Sequence, residues 1–338
     1  MVELIALLAG VALVLAVWSS VLRTVIAPRG RSSRLMRAAT RATSVVTGTV
    51  ARWLPPVARG QVLDLTGPVA LLATLSCWVG GTLLGFALTA PAIGGADLTC
   101  DALVAFPLLD AGPVPLAVVA WLSVAVTLAL FTVLVTRILA AYSRRERTVA
   151  GLAMRALRPP DAERLLAHHL TSGSRDHLDQ TFAHWTAWLA DVRTTHTAFP
   201  PLTYLGPATE LCWLDAAVLV LDAAALADAV APRWVPPGVH SVLQAGTTCL
   251  PQLSARLGIQ IPRPAVSLQG REECNFEQSM QVAVTAGLPR DRGYADAWAT
   301  FQDWRTCYTP YAIAIAERLR YDQAHCLAPT LRDVPPAD

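Results

Sequence analysis

Imidazole and carboxylate side chains recur at two-turn intervals in one segment of the chain. His177, His184 and Asp191 are each seven residues apart, so on a helix they share one face. Such side chains could bind a metal ion or transfer protons. Seven residues rise about 10 Å along a helix, which is too far for one ion without a ligand from another element. We therefore interpret the series as a solvated polar face and predict no metal site.

The other reactive side chains do not form patterns that catalysis requires. His168 and His169 are adjacent, so on a helix they point to different faces. Asp215 and Asp222 could line a cavity, although carboxylates on a helix surface explain them adequately. The chain has no G-x-S-x-G elbow, no H-E-x-x-H pair and no P-loop. The sequence nominates no catalytic residue and no cofactor, and we expect a protein that is not an enzyme.

The cysteines also show no pattern of a site. The seven cysteines are scattered, without a C-x-x-C pair and without a Cys/His cluster at zinc spacing. We interpret them as small buried hydrophobic residues in a reducing compartment, and we expect no structural disulfide framework.

The elements that carry these residues are those of a membrane protein. Of the 338 residues 54% are hydrophobic and only 15% are charged, whereas a soluble globular chain has about 25% charged residues. Crossing a bilayer takes about 20 apolar helical residues, and the stretches 4–22, 68–89 and 116–141 are each about that long. No positive charge precedes the first stretch, which favours a retained anchor over a secretory signal. The sequence predicts three transmembrane helices.

The arginines indicate how these helices are oriented. Eight arginines and no acidic residue lie between residues 4 and 63, and arginines recur after residue 136. The loop 91–115 contains Asp97, Asp101 and Asp110 but no arginine. The positive-inside rule therefore places the N-terminus and this loop outside, and the 29–64 linker and the large C-terminal part in the cytoplasm. We expect a multi-pass protein of the plasma membrane.

The 29–64 linker has the pattern of a basic amphipathic helix. Its apolar residues recur at spacings of three and four, at Leu35, Ala39, Ala42, Val46, Val50 and Trp53. Arg31, Arg34, Arg37 and Arg41 lie mostly off this stripe. Such a helix lies in the membrane surface, where its arginines contact anionic headgroups. Because the helix is tethered between two membrane helices, we expect no binding of nucleic acid.

The second apolar stretch contains small residues at helical spacing. Gly81 and Gly85 form a small-xxx-small pair, which lets two helix backbones approach closely within a membrane. The pair predicts a helix contact, either within this chain or between copies of it.

The C-terminal part has a helical pattern almost throughout. Apolar residues advance in threes and fours from Leu178 to Phe199, with Ser174 placed as the N-cap and FPP at 199–201 as the stop. The segment 210–230 is apolar enough to suggest a fourth span, but Asp215, Asp222 and Asp228 favour a buried soluble helix. Further helices are predicted at 239–257, 271–286 and 294–320.

The predicted fold class is therefore an all-α membrane protein with three transmembrane helices, a basic amphipathic interfacial helix and a C-terminal helical cytoplasmic domain. The segments are 1–28 for the first transmembrane helix, 29–64 for the linker, 65–147 for a helix pair with its loop, 148–326 for the helical domain and 327–338 for a disordered tail.

Several segments together resemble the bacterial two-pore-domain-type potassium channel family, over nearly the whole chain. In the membrane part these are TVIAPRG (24–30), GP (67–68), Trp78, GFAL (85–88) and YSRRE (142–146). In the C-terminal part they are RPPDAERLL (158–166), the Trp185/Trp188 helix, HTAFPPLTYL (196–205), AGLP (286–289) and WRTCYTPYA (304–312). The resemblance implies an ion channel-like membrane protein with a helical cytoplasmic domain.

The segment that gives the family its function is different here. The resemblance implies a re-entrant loop with a T-x-G-x-G-D-like filter, in which glycines let successive carbonyls face the ion. In the loop 91–115, DAL (101–103) is similar to the start of the pore helix and DAGP (110–113) to the filter exit. VAFPLL (104–109) lies between them and has no glycine. We therefore expect a degenerate filter without the usual potassium selectivity.

Three functions remain open. The first is a non-conducting or non-selective scaffold, regulatory or sensor subunit, either a homo-oligomer (a tetramer if it assembles like a channel) or a partner of a related channel subunit, in a bilayer with anionic lipids. The second is a cation channel whose pore is lined by rings of Asp101 and Asp110. The third is a membrane-anchored receptor whose cytoplasmic bundle binds a ligand, suggested by the aromatic residues of 294–311.

Overall fold

The computed structural model describes residues 2–26, 33–94, 114–155, 161–209, 211–259 and 271–319. All regular elements in these ranges are helices, and no strand occurs among them. Three helical segments are long and apolar enough to cross a membrane, at Glu3–Val25, Ala58–Ala92 and Val114–Met154. For the described residues, the predictions of an all-helical fold and of three helices long and apolar enough to cross a membrane are confirmed.

The helices of the first part of the chain are α1 (Val2–Val25), α2 (Arg34–Arg52), α3 (Pro56–Asp64), α4 (Thr66–Gly94) and α5 (Val114–Arg155). The remaining elements are α6 (Ala162–Ser172), α7 (Arg175–Ala198), a 3₁₀ helix (Pro200–Tyr204), α8 (Trp213–Val230), α9 (Pro237–Leu257), α10 (Arg271–Thr285), α11 (Tyr294–Thr306) and α12 (Thr309–Leu319). The chain forms two compact units, the first of Met1–Ala141 with Thr197–Leu205, the second of Tyr142–His196 with Gly206–Asp338.

Helix α1 packs closely along α4 in the first unit. A Cβ atom on Gly10 would lie 2.5 Å from the carbonyl oxygen of Gly85, so the two backbones nearly touch. Further along the same contact, Trp78 is completely buried and its indole N–H donates to the hydroxyl of Ser20 at 3.1 Å. Small residues and one buried ring therefore determine the separation of the two helices.

Helix α8 lies at the centre of the second unit. All 18 of its residues are buried, and α6, α9, α10, α11 and α12 pack around it. A helix that is apolar on every side is stable only when it is enclosed. The prediction that 210–230 contains a buried helix is confirmed.

The neighbouring helices follow the sequence signals with one exception. The hydroxyl of Ser174 accepts a hydrogen bond from the backbone N–H of His177 at 3.2 Å, which confirms the predicted cap of α7. The single helix predicted at 294–320 is wrong, because two helices, α11 and α12, occupy this segment. Pro310 has no N–H to donate to the carbonyl of Thr306, and its ring would clash there, so α11 ends at Thr306.

Candidate functional site

Some of the residues that the sequence nominated lie outside the part of the chain that the structure describes. Asp101 and Asp110 belong to the segment 95–113, and Arg31 to the segment 27–32, and neither segment is among the described residues. The tail 327–338 is outside them as well.

The nominated glycines contact α1. A Cβ atom on Gly81 would lie 2.8 Å from a methyl group of Val17, and one on Gly85 would lie 2.6 Å from a methyl group of Val14. Both glycines thus face another helix of the same chain. In contrast, a Cβ atom on Gly80 would meet no atom within 4 Å.

The side chains of His177, His184 and Asp191, which are seven residues apart, do not form a common site. His177 and His184 are exposed, and Asp191 forms an ion pair with Arg144 at 3.3 Å. The ring of His177 lies 5.2 Å from that of His169, which belongs to the preceding helix. Within the described ranges, no three His, Cys, Asp or Glu side chains come together as a metal site would require.

A buried charged cluster lies where α5 and α7 meet in the second unit. We define the Arg145 cluster as Arg145, Glu146, His196, Trp188 and Trp213. Arg145 is 1% exposed, and its Nε donates to a carboxylate oxygen of Glu146 at 2.7 Å. The guanidinium also lies over the ring of Trp213, 5.8 Å from its centre. A buried guanidinium is tolerated because a carboxylate and an aromatic face replace its water.

His196 is neutral in this cluster. Its Nδ1 lies 2.9 Å from the carbonyl oxygen of Val192, which only accepts, so Nδ1 carries the proton. The Nε2 lone pair then accepts from Nη1 of Arg145 at 3.2 Å. Burial, and secondarily the charge of Arg145, hold the pKa of His196 well below its ordinary value. The imidazole thus acts as an acceptor for the arginine and not as a proton carrier at neutral pH.

Two further hydrogen bonds connect the Arg145 cluster to the surrounding backbone. The second carboxylate oxygen of Glu146 accepts from the backbone N–H of Ala208 at 2.8 Å, which holds the segment that leads into α8. The indole N–H of Trp188 donates to the carbonyl oxygen of Arg145 at 3.3 Å. The cluster therefore joins the C-terminal part of α5 to α7 and to the start of α8.

The sequence contains a signal for one member of this cluster. The buried face of α5 continues from Ile138 and Ala141 to Val149 and Leu152, at spacings of three and four, and Arg145 lies on it. A charged residue in the middle of an apolar stripe requires a buried partner. His196, the partner from α7, is 51 positions away and no local pattern could have identified it.

A second buried charged cluster lies on α8. We define the Asp222 cluster as Asp222, Arg305 and Tyr308. The expectation that the carboxylate of Asp222 lies on a helix surface is wrong, since this residue is completely buried. The hydroxyl of Tyr308 donates to it at 2.6 Å, and Nε of Arg305 lies 3.3 Å from the same oxygen. These contacts tie the junction between α11 and α12 to the central helix.

Burial dominates the protonation of the Asp222 cluster. Burial raises the pKa of Asp222, and Arg305 and the Tyr308 hydroxyl oppose this effect. Burial raises the pKa of Tyr308 well above its ordinary range, and the neighbouring carboxylate raises it further. Tyr308 is therefore a donor that stays protonated.

The aromatic residues that suggested a ligand site pack on one another. The ring of Phe276 lies 5.9 Å from that of Tyr294, 5.3 Å from that of Trp298 and 5.0 Å from that of Phe301. Phe276 and Phe301 are buried. Core packing thus accounts for these rings. An open groove of the same unit is lined by Thr171, Glu277, Gln281 and Thr285.

Comparison with known proteins adds no assignment to these clusters. No protein-family model, no curated protein and no solved structure matches the chain. The geometry of the two clusters, in which each reactive group is buried and engaged by another side chain, is suited to holding helices in a defined arrangement.

Proposed function

We propose that the chain is a multi-pass membrane protein built like a potassium channel subunit without a working filter, and that it acts as a non-conducting or non-selective scaffold, regulatory or sensor subunit. In this proposal the N-terminus lies outside and the second unit lies in the cytoplasm of the cell. The partners are copies of the chain, four of them if it assembles like a channel, or a related channel subunit.

The observation that carries the proposal is the continuity of α5. This helix runs without a break from Val114 to Arg155. Its first part is the third apolar helix, and its last part contributes Arg145 and Glu146 to the buried cluster of the second unit. In this proposal, α5 is the element through which the apolar helices influence the helices that this cluster holds. Such a connection suits a subunit that senses or regulates.

The loop composition supports the same function. Residues 104–109 read VAFPLL and contain no glycine. A ring of carbonyl groups that replaces the hydration shell of potassium requires backbone that glycine allows most readily. This argument comes from the sequence and concerns residues outside the described ranges.

Ion flux measured in vesicles tests the proposal. The full chain is reconstituted into liposomes, and potassium and sodium fluxes are measured separately, with valinomycin added at the end to show that the vesicles are sealed. We expect no flux, or a small flux that does not discriminate between the two ions. Brisk potassium flux that excludes sodium would overturn the proposal.

A double variant distinguishes the proposal from a channel with an acidic pore. If wild-type vesicles pass cations, the Asp101→Asn/Asp110→Asn variant is compared with an Asp296→Asn control in the second unit. Flux that is lost only in the double variant would show that the chain is a conducting channel, and the regulatory role would be rejected.

Particle images of the purified protein give the number of copies of the chain in its assembly, which is four if the chain assembles like a channel.

A further inference from the structure

Helix α2 presents three different faces. The buried face of α2 consists of small or polar residues and one methionine. These residues are Met36, Thr40, Thr43, Thr47, Gly48 and Ala51. The apolar stripe that the sequence indicated is on another side. Val46 on this stripe is 61% exposed and Trp53 is 86% exposed. The side of α2 that carries Val46 and Trp53 is thus left uncovered by the residues that the structure describes.

The arginines form the third face. Arg34, Arg41 and Arg52 are exposed. Arg37 is half-buried, and its Nε has no hydrogen-bond partner among the residues that the structure describes. No carboxylate occurs between residues 4 and 63 to neutralise these charges. An external anion is the natural counterpart of this face.

One hydrogen bond shows where α2 contacts α4 along the length of α4. The hydroxyls of Thr47 and Thr66 share a hydrogen bond of 2.8 Å. Thr66 is the first residue of α4, and the apolar stretch of α4 begins at Pro68. Thr47 of α2 therefore contacts α4 at its first residue, two positions before the apolar stretch 68–89, which is near the polar boundary of a bilayer that this stretch crosses.

We infer that α2 is an in-plane membrane anchor that binds anionic phospholipid. The stripe containing Val46, Val50 and Trp53 enters the boundary between headgroups and acyl chains, and Arg34, Arg37 and Arg41 bind lipid phosphates. A membrane occupant explains an apolar face and a basic face that are both exposed among the described residues of α2, since interfacial helices combine these two properties. The inference depends only on the first unit, so it can hold or fail independently of the proposed function.

Lipid binding by the full chain tests the basic face. The protein in detergent is titrated with phosphatidylglycerol or phosphatidylcholine, and bound lipids are counted by native mass spectrometry. We expect a preference for phosphatidylglycerol that falls about five-fold for each arginine removed at low salt, so that Arg34→Gln/Arg37→Gln/Arg41→Gln loses most of it. The matched control, Arg147→Gln/Arg233→Gln/Arg318→Gln, removes three exposed arginines of the second unit and should keep the preference.

A retained preference in the α2 triple variant would overturn the inference. If that variant does not fold, the salt dependence of the wild-type protein decides, because headgroup attraction is screened within about 8 Å at physiological ionic strength. A preference that does not weaken between low and high salt also overturns it.

Fluorescence quenching tests the apolar stripe. The wild-type chain is placed in bilayers that contain brominated phospholipid, and the quenched fraction of tryptophan emission is measured. Trp53→Phe should lower this fraction, whereas Trp298→Phe, which removes a tryptophan of α11 that we expect to lie outside the bilayer, should not lower it. An unchanged fraction in Trp53→Phe would mean that protein, such as a second copy of the chain, covers the stripe, and the inference would be rejected.

Discussion

The two units bury polar groups in different ways. In the first unit the buried polar side chains of the apolar helices are mainly threonines. The hydroxyls of Thr74, Thr82 and Thr127 each donate to the carbonyl four residues earlier, at 2.7–2.8 Å. These bonds lie within one helix, so they satisfy the hydroxyl without requiring any particular neighbour.

The second unit buries charged groups whose partners come from other helices. Arg145 of α5 contacts His196 of α7, and Asp222 of α8 contacts Tyr308, which follows α11. A charge that loses its partner in such a place is strongly unfavourable, so both clusters favour the observed arrangement of the helices. The difference shows that the buried threonines Thr74, Thr82 and Thr127 are neutral towards helix packing, whereas the buried charges of the second unit are not.

The largest expected effect is in the Arg145 cluster. Arg145→Met leaves the carboxylate of Glu146 buried and uncompensated, and it should lower the free energy of unfolding of the second unit by about 3–5 kcal/mol. The exposed neighbour Arg147 supplies the control, Arg147→Met, which should change little. Adding Glu146→Gln to Arg145→Met should recover part of the loss, and no recovery would contradict the role of the ion pair.

A thiol reporter restricts this measurement to the second unit. Cys249 is 1% exposed, and burial raises its pKa to about 12, so it should react with a maleimide only when the unit opens. The reaction is followed during heating in a variant that keeps Cys212 and Cys249. Serine replaces the other five cysteines, which are Cys77, Cys100, Cys274, Cys307 and Cys326.

A smaller effect is expected from pH. The pKa of His196 is held well below its ordinary value of 6.5 in the folded state, so below pH 6.5 the unfolded chain binds more protons. Unfolding free energy should therefore fall as the pH drops from 7 towards 5, with a contribution of at most about 1.4 kcal/mol per pH unit. Denaturant unfolding followed by tryptophan fluorescence at several pH values gives the slope.

Two substitutions on α7 separate this contribution from that of other groups. His196→Gln removes the buried imidazole and should flatten the slope, whereas His184→Gln changes an exposed residue and should preserve it. An equal slope in wild type and His196→Gln would show that other groups control the acid sensitivity.

The smallest effect is expected in the first unit. Thr82→Val replaces a completely buried hydroxyl that bonds only within α4, and it should change the unfolding free energy by less than about 0.5 kcal/mol. Unfolding by SDS followed by circular dichroism measures this change. A loss as large as that of Arg145→Met would remove the contrast between the two units.

Sequence patterns predicted those features that depend on local properties. Hydropathy over about 20 residues identified the three apolar helices, and Ser174 identified the start of α7. The composition of 210–230 predicted a buried helix, although the burial of its aspartates was not foreseen. The position of Pro310 could have indicated the break between α11 and α12, but the apolar spacing across it concealed the signal.

By itself, the sequence determined which helices are apolar throughout and which have one apolar face. It also determined that the linker has a basic stripe and an apolar stripe, since periodicity and hydropathy are properties of neighbouring residues. Only the tertiary structure decided that Thr47 of α2 bonds to Thr66 of α4 and that Val46 and Trp53 are exposed. The pairing of Arg145 with His196 was decided there as well. Contacts between residues far apart in the chain depend on how helices pack, and no local pattern carries that information.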